Sequence, residues 1–426
     1  MSTRAQLPLA KRLRQALPGI SMVLLGGCLA ATVSAQIPEW QANTIVVGSQ
    51  AGSEIVETPT GDLVMVWSSQ GLDGSSFGIA LRRFSAEGTP LDAVERQVNA
   101  FTTDSQSGPR LAIDASGEMV VAWRGNSAAD DTGIVARRVG TDGTPLGDEI
   151  QVNTSFSGFH INPRVARAAG GEFAVIWFDS VPDQVVARRF SADGTPQGDP
   201  FGVSRAGLPS NSGGQDLAYL PNGELLAVWG DDDQIFVQRY DTTGATVGMP
   251  VLVSQPIVSN DFPSLEIAPD GTYLVVWRGF ETGNQNLIVG QRMSATDTLE
   301  GPNVVFNTLL PRPKGPPAVA RESDGGYRVV WMHQGTEQGS GFDLYSRRVD
   351  AGGQLVGAEE VRATSTTIGE QNNPTLVALA TGGSLLVWNS DDQDGLGVFT
   401  DMPTTEPLFA DDFESGDTTR WYVTGE

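Results

Sequence analysis

Apolar runs recur along this chain at nearly one spacing, and each ends in the same residue. The first copy is G-D-L-V-M-V-W (61–67) and the last is G-G-S-L-L-V-W (382–388). The tryptophans that end the seven copies are Trp67, Trp123, Trp177, Trp229, Trp277, Trp331 and Trp388. Successive tryptophans lie 48 to 57 residues apart, which exceeds the period of the common helical repeats.

The pattern inside each repeat predicts four strands. An aliphatic residue stands twelve positions before each tryptophan, and five repeats have a proline fourteen positions before it, where an inner strand would begin. The glycine six positions before the tryptophan supplies the positive φ of a tight turn. The apolar run that follows does not alternate, so both faces of this second strand must be buried. A third strand such as I-V-A-R-R-V (134–139) and a more polar fourth strand such as I-Q-V-N (150–153) complete the repeat.

Seven such repeats without a helical pattern predict a seven-bladed β-propeller of four-stranded antiparallel blades. The chain has 426 residues and no stretch typical of a linker, which suits a repeat array because such an array needs no single large core. An open β-solenoid is the alternative architecture.

The seventh repeat lacks a fourth strand, and the missing strand is expected at the other end of the chain. After the third strand L-G-V-F-T-D-M (396–402) the sequence has no further repeat pattern, whereas A-N-T-I-V-V-G-S-Q (42–50) precedes the first repeat. An open ring would expose two apolar blade faces and an unpaired edge. We therefore expect residues 43–48 to pair antiparallel with residues 397–401 as the outer strand of blade 7.

The two ends of the chain are predicted to lie outside the propeller, which covers residues 36–402. Four basic residues precede an apolar run (20–33), and Val33-Ser34-Ala35 fits a secretory cleavage site, so residues 1–35 are predicted to be a signal peptide. A lipoprotein signal with lipidated Cys28 is the alternative. The apolar run is too short for a comfortable membrane span. Residues 403–426 form a C-terminal tail.

Charge and cysteine content narrow the classes of function. The chain without residues 1–35 has 51 acidic and 23 basic residues, a net charge of −28. This balance argues against nucleic acid and anionic membranes as partners, because both require basic patches. Cys28 is the only cysteine, which excludes an intrachain disulfide and multi-cysteine metal sites. We expect a secreted or extracellular monomer.

The repeat resembles one found in secreted bacterial β-propeller proteins, of the form G-x-x-V-V-W … R-R-F … G-T-P-x-G … V-N. The similarity covers about residues 42 to 402 and implies a secreted propeller, sometimes part of cell-surface or calcium-binding assemblies. It implies no catalytic residues. The tail L-F-A-D-D-F-E-S-G-D-T-T-R-W (408–421) resembles a C-terminal D-x-F-E-S-G-D signature of secreted bacterial proteins. It is either a sorting or attachment tail or an ordinary chain end.

Candidate functional residues are sought where the repeats differ, because one site does not need seven copies. Glu54, Arg110, Arg164 and Asp216 share the position thirteen residues before the tryptophan in repeats 1 to 4. They are expected side by side at the mouth of the central channel, where they either bind a ligand carboxylate or sugar, or neutralise one another.

Histidines and acidic loops are weaker candidates. His160 and His333 are the only histidines, and both are expected in loops of the ligand-binding face, too far apart for a shared metal or catalytic triad. The acidic loop that holds Asp391, Asp392 and Asp394 could bind calcium, although it lacks the fixed ligand spacing of an EF-hand. Solvated loops are the ordinary alternative, and no cofactor is expected.

The sequence therefore favours a secreted or cell-surface, non-enzymatic binding or scaffold propeller with an unidentified protein or glycan ligand. No nucleophile is paired with a base in the pattern. Two alternatives remain: a propeller enzyme that acts on extracellular glycans, and a calcium-binding surface protein.

Export through the signal peptide leads to one measurable outcome. The intact mass of the protein purified from its native host should correspond to a chain that begins at Gln36, because cleavage is expected after Ala35. A diacylglyceryl group on Cys28 would instead establish the lipoprotein alternative.

Overall fold

The computed structural model describes residues 40–127, 133–207, 214–254, 259–281, 285–308, 313–334, 341–364, 370–390 and 397–401. These residues form strands and no helix, so these ranges offer no helical segment that could cross a membrane. The strands make seven four-stranded antiparallel sheets. The predicted all-β propeller with four-stranded antiparallel blades is confirmed.

Six sheets are blades of four consecutive strands, ordered in the sheet as in the chain. Blades 1 to 3 consist of β2 (Gln50–Glu57), β3 (Leu63–Gln70), β4 (Phe77–Phe84) and β5 (Arg96–Gln97); β6 (Gln106–Ile113), β7 (Met119–Gly125), β8 (Gly133–Val139) and β9 (Pro145–Gln151); and β10 (His160–Arg167), β11 (Phe173–Asp179), β12 (Gln184–Phe190) and β13 (Phe201–Gly202). Blades 4 to 6 consist of β14 (Gln215–Tyr219), β15 (Leu225–Asp231), β16 (Gln234–Tyr240) and β17 (Thr246–Leu252); β18 (Ser259–Ile267), β19 (Tyr273–Glu281), β20 (Gln285–Met293) and β21 (Leu299–Val305); and β22 (Pro313–Arg321), β23 (Tyr327–Gln334), β24 (Phe342–Val349) and β25 (Leu355–Arg362).

The seventh sheet is built differently from the other six. It has three consecutive strands, β26 (Gln371–Ala378), β27 (Ser384–Ser390) and β28 (Gly397–Asp401), and β1, which is only Trp40–Gln41. Strand β1 pairs with Phe399 and Thr400 of β28. None of residues 43–48 belongs to a strand. The prediction of a seven-bladed propeller closed by a strand at 43–48 is therefore wrong: six blades are formed by consecutive strands, and the seventh sheet is completed only by Trp40–Gln41.

The error is one of alignment, and the polar pattern of the fourth strands explains it. In blade 1 the fourth strand ends at Gln97, the first residue of Q-V-N (97–99), and the chain then leaves the sheet. The equivalent sequence before the first repeat is Q-A-N (41–43). The pairing of β1 with β28 therefore ends at Gln41, before the segment 43–48 begins. Arg82 donates to the Ala42 carbonyl at 2.7 Å, as Arg137 of blade 2 donates to the Val98 carbonyl at 2.7 Å.

The first and last sheets pack against each other, which excludes the open solenoid. Met65 and Trp67 of blade 1 share an apolar cluster with Leu385 and Val387 of blade 7. The Gly52 backbone N–H also donates to Asn389 Oδ1 at 3.1 Å. The inner strand of every blade contacts that of the next blade, and β2 contacts β26. The sheets therefore form a closed circuit without a long closing strand.

The second strand of each blade forms the core, as its uninterrupted apolar pattern predicts. All seven repeat tryptophans are buried. In blade 1, Val64 and Val66 pack with blade 2, whereas Met65 and Trp67 face blade 7. Burying one such aromatic ring contributes roughly 4–6 kcal/mol relative to its exposure. Both faces of the strand are covered by neighbouring sheets, so neither face can be polar.

Arginines of the third strands brace neighbouring blades. Arg138 of blade 2 donates to the Asp193 carbonyl in the last turn of blade 3, at 2.7 Å. Arg239 of blade 4 binds the Asp297 carboxylate of blade 5, at 2.6 Å. At these two positions the arginine of the third strand therefore has a structural role, because a planar guanidinium suits such fixed geometry.

Closure by a short N-terminal contact can be tested with a pair of variants. The Trp40 ring lies 4.6 Å from the Phe84 ring of blade 1, centroid to centroid, so Trp40→Ala should lower the free energy of unfolding by about 1–3 kcal/mol. Val47, in the segment first expected to close the ring, is 80% exposed, and Val47→Ala should change it by less than about 0.5 kcal/mol. Urea unfolding measures both changes. The reverse ranking would place closure in residues 43–48 after all.

Candidate functional site: the central channel

The inner strands of the six blades and of the seventh sheet surround one cavity of about 320 Å³. Every residue thirteen positions before a repeat tryptophan lies on its wall: Glu54, Arg110, Arg164, Asp216, Ser264, Ala318 and Thr375. The structure thus brings the four charged residues of this sequence position to one place. The other three blades supply neutral side chains.

A bulge in the inner strand precedes this position in most blades. In blade 1 the register shifts between Ala51 and Glu54, and in blade 2 it shifts between Ser107 and Arg110. Such a bulge bends the strand and re-aims the next side chain. In blade 5 the bulge places Phe262 at φ +52°, a conformation that non-glycine residues adopt rarely. The bulge is a backbone feature that the sequence pattern did not predict.

The four charges do not simply neutralise one another. Arg110 Nη1 lies 3.3 Å from Glu54 Oε2, as an ion pair between neighbouring blades requires. The Asp216 carboxylate accepts backbone N–H groups of Leu217 at 2.9 Å and Leu265 at 3.2 Å. Within the described ranges no carboxylate lies within 4.0 Å of the Arg164 guanidinium, whose hydrogen bond goes to the Pro163 carbonyl at 3.3 Å. The expectation of mutual neutralisation therefore holds for one pair only.

Glu266 is a channel residue that the sequence reasoning missed. It lies in β18, two residues after Ser264, and lines the same cavity. The equivalent position, eleven residues before the tryptophan, is alanine or valine in the other six repeats. A comparison of this column would have revealed the exception. Glu266 adds a fifth ionisable group in a fifth blade.

Burial shifts the protonation of the channel groups. It raises the pKa of Glu266 to about 7, although a backbone hydrogen bond from Arg321 opposes the shift. Burial also raises the pKa of Glu54 and of Asp216, against the opposing charges of the arginines. It lowers the pKa of Arg164 to about 10, and the like charge of Arg110 acts in the same direction. The low-dielectric channel therefore disfavours every charged form that lacks a partner.

The two histidines are strand residues, so the prediction that they occupy loops is wrong. His160 begins β10 and is fully buried, with Nε2 3.5 Å from Asp179 Oδ2. His333 lies in β23, buried, with its ring 5.3 Å from Tyr345. Neither histidine lines the channel cavity. The structure does not bring them together with Glu54, Arg110, Arg164 or Asp216.

Polar residues seventeen positions before the tryptophan form a recurrent structural bond. Gln106 Oε1 accepts the Trp123 Nε1–H at 2.9 Å, and Asn260 Oδ1 accepts that of Trp277 at 2.7 Å. His160 occupies this position in blade 3. Among the described residues Trp177 Nε1 has no hydrogen-bond partner, so the bond to the tryptophan is not repeated in blade 3.

Several predicted features fall on residues outside the described ranges. Asp391, Asp392 and Asp394, the signal peptide with Cys28, and the C-terminal tail are among them. In the described part of the chain, no group of three or more histidine, cysteine or acidic side chains is arranged to hold a metal ion. Calcium binding and the cleavage site therefore stay predictions.

Comparison with known proteins relates the chain to solved propeller structures. No protein-family model matches the sequence, and no curated protein matches it. A protein of unknown function from Dyadobacter fermentans is similar with a TM-score of 0.53 and 13% identity, over 86% of this chain and 98% of that one. An ulvan lyase bound to -[GlcA(1-4)Rha3S]- is similar with a TM-score of 0.52 and 11% identity, over 86% of this chain and 96% of that one.

These similarities correct the expectation that the protein has no enzymatic activity. The expectation relied on uniform repeats without a nucleophile and base, yet a polysaccharide lyase shares this architecture over most of both chains. At 11% identity the similarity establishes the fold, and a fold by itself does not fix a function. The non-enzymatic interpretation, which was drawn from the architecture, is therefore wrong. The channel residues, rather than the fold, indicate the function.

The buried carboxyl of Glu266 leads to a prediction for stability. Its pKa is 4.5 in an ordinary environment and about 7 in the folded protein, so the folded protein keeps a proton that the unfolded chain releases between these values. The free energy of unfolding should fall as the pH rises from 4.5 to 7.

Glu266→Gln cannot ionise and should escape this loss, gaining at most about 3 kcal/mol over the wild type above neutral pH. Urea unfolding below and above this pH window measures the difference. Glu87→Gln, in an exposed turn, is the control and should follow the wild type. A constant difference between Glu266→Gln and the wild type across the window would contradict the raised pKa.

Proposed function

We propose that the protein is a propeller enzyme that acts on extracellular glycans, with its reaction in the central channel. The observation that carries this proposal is the convergence of carboxyls and guanidiniums from five adjacent blades on one cavity. A framework that needed only packing would place neutral side chains there, as the column of Glu266 does in the six other blades.

Glu266 is the residue that transfers the proton. A carboxyl with a pKa of about 7 exists in both protonation states at neutral pH, which suits a general acid or base. Cleavage of a glycosidic bond requires protonation of the leaving oxygen, and a second carboxylate commonly assists. Asp216 is near enough to raise the pKa of Glu266 through its charge, and it is the candidate for that second group.

The arginines supply the positive charge of the site. Arg110 and Arg164 lie on the blades between Glu54 and Asp216. Fixed cations in a water-poor cavity stabilise negative charge that develops in a transition state. If the predicted signal peptide is functional, the enzyme meets its substrate outside the cytoplasm. The proposal also agrees with the shared fold of the ulvan lyase.

A panel of plant, algal and bacterial polysaccharides tests the proposal. Release of reducing ends detects cleavage, and ultraviolet absorbance of an unsaturated sugar separates elimination from hydrolysis. Glu266→Gln should lower kcat at least about 100-fold, because it removes the proton transfer. Glu87→Gln should leave kcat unchanged. Absence of turnover on every polysaccharide, or full activity of Glu266→Gln, would refute the assignment.

A further inference from the structure

A second pocket opens beside the channel, between blades 2 and 3. Its volume is about 270 Å³, and Arg110 and Arg164 line it as well as the channel. A third arginine, Arg124, comes from the end of β7 and also lines it. Ser107 and Asn162 of the two inner strands complete this part of the wall. Three guanidiniums thus converge on one small volume.

The positive charge of this pocket is poorly compensated. Arg110 has Glu54 as its ion-pair partner. In the described ranges, neither Arg124 nor Arg164 has a carboxylate within 4.0 Å. The chain as a whole has a net charge of −24, so carboxylates are abundant and their absence here is a local exception. Uncompensated guanidiniums in a concave site attract anions.

An equivalent arginine in blade 5 can be compared with Arg124. Arg278 occupies the same position in blade 5, one residue after the repeat tryptophan. Its register partner is Asp261, whose carboxylate accepts from Arg278 Nε at 2.8 Å. The register partner of Arg124 is Ser107, which has no charge. The fold therefore permits internal neutralisation at this position, and blade 2 lacks it.

The environment of the Arg164 guanidinium also favours a bound anion. Burial and the nearby charge of Arg110 lower its pKa to about 10. An ordinary arginine has a pKa of 12.5, so the guanidinium is held where its charge is disfavoured. An anion within hydrogen-bond distance would stabilise the charged form and raise this pKa again.

We propose that the pocket lined by Arg110, Arg124 and Arg164 binds the acidic substituent, a carboxylate or a sulfate, of an anionic glycan. The identification of the ligand as a glycan rests on the proposed function, whereas the requirement for an anion rests on the arginines alone. Both groups present the paired oxygens that a guanidinium fork recognises. A neutral sugar would offer no anionic partner to the guanidiniums of Arg124 and Arg164, which lack a carboxylate within 4.0 Å in the described ranges. The acidic group would anchor the chain while an adjoining sugar enters the channel near Glu266, because the two cavities share Arg110 and Arg164.

Calorimetric titration with three probes tests the anion requirement. The probes are an unsulfated oligogalacturonate, a sulfated galactan oligosaccharide without uronic acid, and the carboxyl-reduced form of the first. The wild type should bind at least one of the acidic probes, with an affinity that falls as salt rises. The acidic probe that binds identifies carboxylate or sulfate as the preferred group. Equal binding of the carboxyl-reduced probe, or no binding of either acidic probe, would overturn the proposal.

Two variants neutralise Arg124 in different ways. Arg124→Gln removes the charge, and Ser107→Asp reproduces the pairing that Asp261 gives Arg278. Each should weaken binding of the acidic probe at least about tenfold, as the loss of one charged hydrogen bond does. Ser107→Asn introduces a similar volume without charge and should weaken binding less than Ser107→Asp does. Arg205→Gln, at a side chain that is 69% exposed outside the pocket, should also stay within about twofold.

These experiments distinguish failure of the anion-binding pocket from failure of the proposed enzymatic activity. Binding that depends on Arg124, without turnover of any glycan by the wild type, would keep the anion pocket and remove the enzyme. Turnover that requires Glu266 but is indifferent to Ser107→Asp would keep the enzyme and remove the pocket. Unchanged binding by both neutralising variants would refute the pocket whatever the activity, and their unfolding curves show that the fold is retained.

Discussion

Burial of the second strand of each blade on both faces is the constraint on which the architecture depends. Val66 packs towards one neighbouring sheet and Trp67 towards the other, so a blade is stable only between two others. This requirement explains why the apolar run does not alternate and why the repeats form a closed circuit. It also explains how a two-residue contact at Trp40–Gln41 suffices at the junction, since packing joins the first and last blades.

A repeated framework leaves little freedom for chemistry except at the inner strands. Their side chains face a shared cavity, so a substitution in one blade changes the site without disturbing the core. In most blades a bulge before the channel position separates the two roles, because the strand continues while the following side chain is re-aimed. Glu266 is a departure of this kind, because the other six repeats have alanine or valine at its position. Charge in the channel therefore comes from differences between blades.

Identical residues in equivalent positions have different electrostatic roles here. Arg110 pairs with Glu54 at 3.3 Å, whereas the neighbouring Arg164 has no such partner within the described ranges. Arg278 is neutralised by Asp261, whereas Arg124 lies opposite the uncharged Ser107. A guanidinium with an internal partner stabilises the framework, and one without a partner favours an external anion. The distinction lies in the register partner and not in the arginine itself.

The strands, their order in each blade and the burial of the tryptophans could be predicted from the sequence, because they follow from the local period and the turn residues. It also placed Glu54, Arg110, Arg164 and Asp216 together, since equivalent positions of a repeat meet at the axis. The closure of the ring could be established only from the tertiary structure. Pairing with β28 ends at Gln41, and the apolar segment that follows lies outside the sheet. The raised pKa of Glu266 and the position of Arg124 opposite Ser107 also follow only from the tertiary structure. Burial and pairing depend on neighbours distant in the chain, which no local pattern encodes.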